Sequence, residues 1–153
     1  MMSTPQTLQT VRRLQTAMAT AYAALGAWCL LHPYSVIALG FTPKYISMAN
    51  ETTHLFLRCF GAQAMTCGLL LGSSDMTAFS FTAFGLAMIP YIGWNFWYSG
   101  IGPSRGMINS MMWLDFVGNL FFMGGSLWCA KLLREEGRTR AGGEGEREGL
   151  LRE

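Results

Sequence analysis

Charge is missing from four long stretches of this chain, and that absence limits the folds open to it. Leu14 to Leu31 carries no charged residue, His54 to Gly72 carries only Arg58, Met76 to Tyr98 carries none, and Met107 to Ala130 carries only Asp115. A helix needs roughly 20 mostly apolar residues to cross the hydrocarbon core of a bilayer, and all four stretches are long enough. The apolar runs are continuous, as in Cys67–Gly72 and Leu120–Met123, whereas a membrane strand would alternate over about ten residues. A soluble chain of 153 residues has too little polar sequence to cover four helices that are apolar all round. The pattern therefore predicts an all-α integral membrane four-helix bundle.

The expected domain runs over residues 14–132, with spans at about 14–31, 54–72, 76–98 and 107–130. A polar N-terminal leader, 1–13, precedes it, and a flexible charged tail, 133–153, follows. The first span also has traits of a cleavable signal peptide: Arg12-Arg13 in front and Ala21-Tyr22-Ala23 within. Its apolar sequence continues to Leu31, which favours a retained helix. His32-Pro33 ends this helix, because proline disfavours helical geometry in the residue before it. Tyr34–Asn50 is broken by Gly40 and Pro43 and is expected to lie in the outer interface. Asn50-Glu51-Thr52-Thr53 has the chemistry of a helix start, and Pro90 predicts a kink in the third span.

Lys and Arg set the orientation. With four spans the termini share a side, which holds Arg12, Arg13, Lys131, Arg134, Arg138, Arg140, Arg147 and Arg152; the opposite side holds only Lys44 and Arg105. Both termini are therefore expected in the cytoplasm or an equivalent compartment, in a membrane the sequence does not specify.

The chemistry-bearing residues are few. A charge in hydrocarbon is expensive and needs a reason. Counted along their helices at 1.5 Å per residue, Arg58 lies ~9 Å and Asp115 ~12 Å below the outer surface. The two are expected to pair. His54 is one turn from Arg58, Asn119 is one turn from Asp115, and Tyr91, Asn95 and Tyr98 follow one stripe of the third span. The expected polar cluster is thus His54, Arg58, Tyr91, Asn95, Asp115 and Asn119. Such a cluster can fix helix register, bind a lipid or quinone head through Arg58, or use Asp115 or His54 as an acid or base.

Other signals are thinner. Cys29, Cys59, Cys67 and Cys129 form no C-x-x-C pair, so no metal or thiol-redox motif is visible; they read as packing residues, with Cys129 placed to suit palmitoylation. No cofactor is predicted from a motif. His32 and His54 at similar depth offer a weak haem option, and a quinone would suit the polar cluster. Gly68-x-x-x-Gly72, extended by Ala64, is a close-packing stripe for a neighbouring helix or a second copy. Glu146–Leu151 fits an acidic-dileucine sorting pattern. Basic residues are too few and too mixed with acids for nucleic-acid binding; the expected partner is the lipid bilayer.

The interrupted segment His32-Pro33 through Gly40 and the arginine-led, glycine-containing stretch Leu57-Arg58-Cys59-Phe60-Gly61-Ala62 resemble the DoxX-like group of small four-span membrane proteins, over residues 10–132. That resemblance implies an accessory or small-molecule-binding membrane subunit and supplies no catalytic residues. Three functions stand open: a non-catalytic accessory or lipid/quinone-binding component, a transporter or channel subunit, and a membrane-embedded enzyme.

Overall fold

The structure is a computed structural model that describes the backbone of residues 4–98 and 106–150 and the side chains of residues 6–98 and 106–139. The described chain is all-helical, apart from one isolated antiparallel bridge between Phe41 and Ile108. In order, the helices are α1 (Thr4–Leu31), α2 (Pro33–Gly40), α3 (Pro43–Ile46), α4 (Glu51–Ser73), α5 (Ala78–Ala87), α6 (Ile89–Phe96) and α7 (Trp113–Leu150), the last preceded by a 3-10 turn at Ser110–Met112. Three segments are long and apolar enough to cross a membrane: Gln6–Leu31, Glu51–Ser73 and Ser110–Thr139.

Local sequence explains most of the boundaries. Proline opens both α2 and α3, where its fixed φ and missing N–H cost nothing. A reciprocal cap opens α4: Asn50 Oδ1 accepts from Thr53 N at 3.0 Å, and Thr53 Oγ1 accepts from Asn50 N at 3.4 Å. This is the start read from Asn50-Glu51-Thr52-Thr53. Thr77 caps α5 by accepting from Ser80 N at 3.1 Å.

The third apolar stretch is not one helix. It divides at Met88 into α5 and α6, because Pro90 has no N–H to donate and its ring crowds the preceding turn. The fourth begins later than the sequence suggested. Residues 106–109 run across the end of the molecule, with Thr42 N donating to Met107 O and Asn109 N donating to Gly40 O. The leader and the tail both carry helical backbone. Helix α1 begins at Thr4, and Thr7 and Val11 are buried. The backbone of α7 is helical to Leu150, and Lys131 and Glu135 pair at 3.8 Å one turn apart on it. The side chains of the dileucine-like segment and the Ser99–Arg105 part of the loop lie outside the described residues.

Glycine sets how closely α1 and α4 approach. A Cβ on Gly61 would fall on the backbone N of Leu30 and within 2.6 Å of Gly26 O; one on Gly26 would fall on Met65 N; one on Gly68 would fall on Ala23 N. The two backbones touch there. The stripe read as a seam for a neighbouring helix or a second copy is therefore filled, at Gly68, by α1 of the same chain. Helix α7 packs on α5, α1 and α6, with Met18, Phe81, Ser126 and Cys129 fully buried between them. Tyr22 meets Phe84 and Phe122 edge-on, with centroids 5.9 and 5.1 Å apart.

The two ends of the structure differ in chemistry. At one, Arg12 lies 3.6 Å from Asp75, Gln15 Nε2 donates to the carbonyls of Leu71 and Ser74, and Arg134 donates to Thr82 Oγ1 at 2.8 Å. At the other end α2 packs on α1, α4 and the Ser110–Met112 turn, and Thr42 joins residues 106–107, with Thr42 N donating to Met107 O and Thr42 Oγ1 donating to Gly106 O.

Candidate functional site

Asp115 lies in the first turn of α7, where the exposed N–H groups of a helix favour negative charge. Its Oδ2 accepts from Asn95 Nδ2 on α6 at 2.6 Å and from Asn119 Nδ2, one turn along α7, at 3.0 Å. Both asparagines are buried and Asp115 is half-buried. Placing Asn95 requires the bend at Pro90, which sets α6 against the start of α7. Three of the six expected residues thus meet in one hydrogen-bonded cluster.

The expected Arg58–Asp115 ion pair is not formed. Arg58 is in the second turn of α4, on its exposed face, and the described ion pairs are Arg12–Asp75 and Lys131–Glu135. Two physical facts account for the difference. Asp115 is two residues into its helix, not eight, because residues 107–112 turn across the end first. The face of α4 that packs on α1 is the glycine face of Gly61 and Gly68, and Arg58 points elsewhere. Near a helix end, an exposed arginine can run its apolar stem along lipid and keep its guanidinium at the headgroups.

His54 is also separate from the Asp115 cluster. It is buried against Tyr34, with ring centroids 3.9 Å apart, and Tyr34 Oη donates to Glu51 Oε1 at 3.5 Å. His54 Nδ1 is buried without a hydrogen-bond partner among the described residues. His32, its proposed companion for haem, is exposed. No group of three His, Cys, Asp or Glu among the described residues is arranged to hold a metal. Cys129 is wholly buried, so the thiol offered for acylation packs in the core; Cys29 is buried too, while Cys59 and Cys67 are exposed.

Beside the cluster lies a cavity of about 360 Å³. Helices α1, α2, α4, α6 and α7 and the 3-10 turn enclose it, and apolar groups make up most of its wall. Asp115 and Asn119 line it, as does Tyr91, so the polar cluster forms one patch of an otherwise oily chamber. Arg58, His54 and Asn95 do not reach it. Trp28, Leu39 and Leu114 line it and are also exposed on the outer surface, which gives the chamber a mouth on the flank of the molecule.

The sequence reading missed Tyr22, Trp28 and Gly118 in the wall. One signal was present: Asp115, Gly118, Asn119 and Phe122 follow an i, i+3, i+4, i+7 stripe and all four face the cavity. Nothing local showed that α2, read as lying on the outer interface, turns Ile37 and Gly40 inward and adds Val36 and Leu39 to the same wall. Comparison with known proteins adds no relative: no family model, no characterised protein and no solved structure matches this chain.

Proposed function

We propose that this chain is a multi-pass membrane protein that binds a small amphipathic molecule in the cavity beside Asp115, as a non-catalytic carrier or accessory subunit. The bilayer reading rests on the three long apolar helices and on what they leave uncovered. Phe56, Leu69, Leu70, Phe79, Leu114 and Val117 are each more than half exposed, and apolar surface on that scale marks a membrane or partner contact. In this reading α5 and α6 together make a fourth, bent crossing, so both termini share a side. Arg12, Arg13, Lys131, Arg134, Arg138, Arg140, Arg147 and Arg152 on that side, against Lys44 and Arg105 on the other, make it the cytoplasmic one. The resemblance of His32–Gly40 and Leu57–Ala62 to DoxX-like proteins implies the same class.

The observation that carries the binding reading is the cavity itself. Ligand pockets are chambers of about 300–1,000 Å³, mostly apolar, with a few placed polar groups; this one has a carboxylate and an amide on one wall and a mouth toward the surface that lipid would cover. The test uses Gly118, whose added Cβ would meet nothing within 4 Å. Gly118→Leu places a branched apolar side chain in the chamber, its first carbon clear of any neighbour. Lipid extracts of wild-type protein purified in mild detergent are expected to contain a co-purifying amphiphile by mass spectrometry, and extracts of the variant to lack it. Identical extracts from two equally folded proteins would remove the reading.

A further inference from the structure

The polar wall of the cavity carries one carboxylate, that of Asp115, beside the phenols of Tyr22 and Tyr91, and the carboxylate selects the head group of the ligand. Asn95 and Asn119 converge on Asp115 Oδ2. Oδ1 has no hydrogen-bond partner among the described residues, and no Lys, Arg or His there pairs with the carboxylate. Arg58, the cation expected to receive a carbonyl or an anion, is on the outer face of α4. The chamber wall therefore presents a half-buried carboxylate, one oxygen of which, Oδ1, has no partner among the described residues, in surroundings that are mostly apolar.

The rest of the wall fits the same head group. Tyr22, Trp28, Phe60, Tyr91 and Phe122 line the chamber, and aromatic faces attract an ammonium held against them. A carboxylate among aromatic rings is complementary to a protonated amine and repels a carboxylate or a phosphate. A quinone, which presents only carbonyl acceptors, would leave Asp115 unsatisfied. The volume, at the small end of ligand pockets, suits one chain or ring system.

We infer that the cavity binds a single-chain amphiphile with a protonated amine head, which donates to Asp115 Oδ1 while its tail lies along α1, α4 and α7. This rests on the cavity reading above and narrows it to one head-group chemistry.

Myristyl amine, myristyl alcohol and myristate share one tail and differ only in the head. Their retention by the full chain in nonionic detergent can be read by native mass spectrometry. The wild type is expected to retain the amine at least about tenfold over either other probe, the factor one charge-assisted hydrogen bond supplies. Asp115→Asn keeps an oxygen for Asn95 and Asn119 but removes the charge, and is expected to abolish the preference. Gly118→Leu is expected to abolish retention of all three. Equal retention of alcohol and amine, stronger retention of myristate, or an amine preference that survives Asp115→Asn would overturn the amine assignment and leave the cavity reading standing. No retention above the Gly118→Leu background would overturn both. If Asp115→Asn does not fold, the wild-type rank order alone decides the assignment.

Discussion

Replacing Gly61 by alanine adds one methyl group where two backbones touch. That methyl would lie 2.6 Å from Gly26 O and 2.9 Å from the carbonyl carbon of Cys29, besides falling on Leu30 N. Ordinary contact for a Cβ begins near 3.4 Å. Backbone atoms in the middle of two long helices cannot step aside like a side-chain tip, so α1 and α4 must separate by about 1 Å. A gap of that size forfeits a quarter to a half of the dispersion energy along the seam, and overpacking of this kind costs about 1–3 kcal/mol, sometimes more. In a bilayer no hydrophobic drive between helices offsets the loss. Gly61→Ala is therefore expected to cost about 3 kcal/mol, and Gly68→Ala a similar amount. Gly93→Ala and Gly124→Ala are the controls: nothing lies within 4 Å of either added methyl, and alanine favours a helix by up to about 1 kcal/mol over glycine. The assay is reversible unfolding by sodium dodecyl sulfate in mixed micelles, followed by tryptophan fluorescence. If Gly61→Ala and Gly68→Ala stay within about 0.5 kcal/mol of the controls, the range of an ordinary surface change, then α1 and α4 do not meet in the way described.

Three further outcomes follow from the same structure. Arg58→Leu is expected to change stability by less than about 1 kcal/mol, as for an exposed residue; a large loss, reversed by also replacing Asp115, would restore the ion pair. Asn95→Ala takes a donor from the half-buried Asp115 and is expected to cost about 1–3 kcal/mol, whereas Asn95→Asp would set two carboxylates in contact and is expected to be worse; a neutral Asn95→Ala in the same unfolding assay would show that the hydrogen bond contributes nothing. Cysteines placed at Ser47 and Ser74 in a chain lacking Cys29, Cys59, Cys67 and Cys129 are expected to react with an impermeant maleimide from opposite faces of a sealed vesicle, and labelling from one face would contradict the crossing pattern.

Much of the secondary structure was legible because its causes are local. The cap at Asn50 and Thr53, the prolines that open α2 and α3, and the long apolar helices each depend on a few neighbouring residues. The i, i+4 pairing of Asp115 with Asn119 could also be read from spacing. Where the reading of Arg58 and Asp115 failed, it failed on helix facing and on register. A helix start placed six residues early put Asp115 level with Arg58, when the chain first turns across the end of the molecule at 107–112. The same limit applied to Pro90: the sequence foretold a bend, but not that the bend would carry Asn95 to within 2.6 Å of Asp115.

Long uncharged apolar runs alone determined that this chain is helical and that three of its helices are long and apolar enough to cross a membrane, because those properties sum over neighbouring residues and need no partner. Which faces meet was settled only in three dimensions. The contact of Gly26 with Gly61 turned one side of α4 inward and left Arg58 outside, and the packing of α2 and α6 around the start of α7 made a chamber with Asp115 in its wall. A cavity is the space between elements distant in sequence, and no single stretch of this chain contains it.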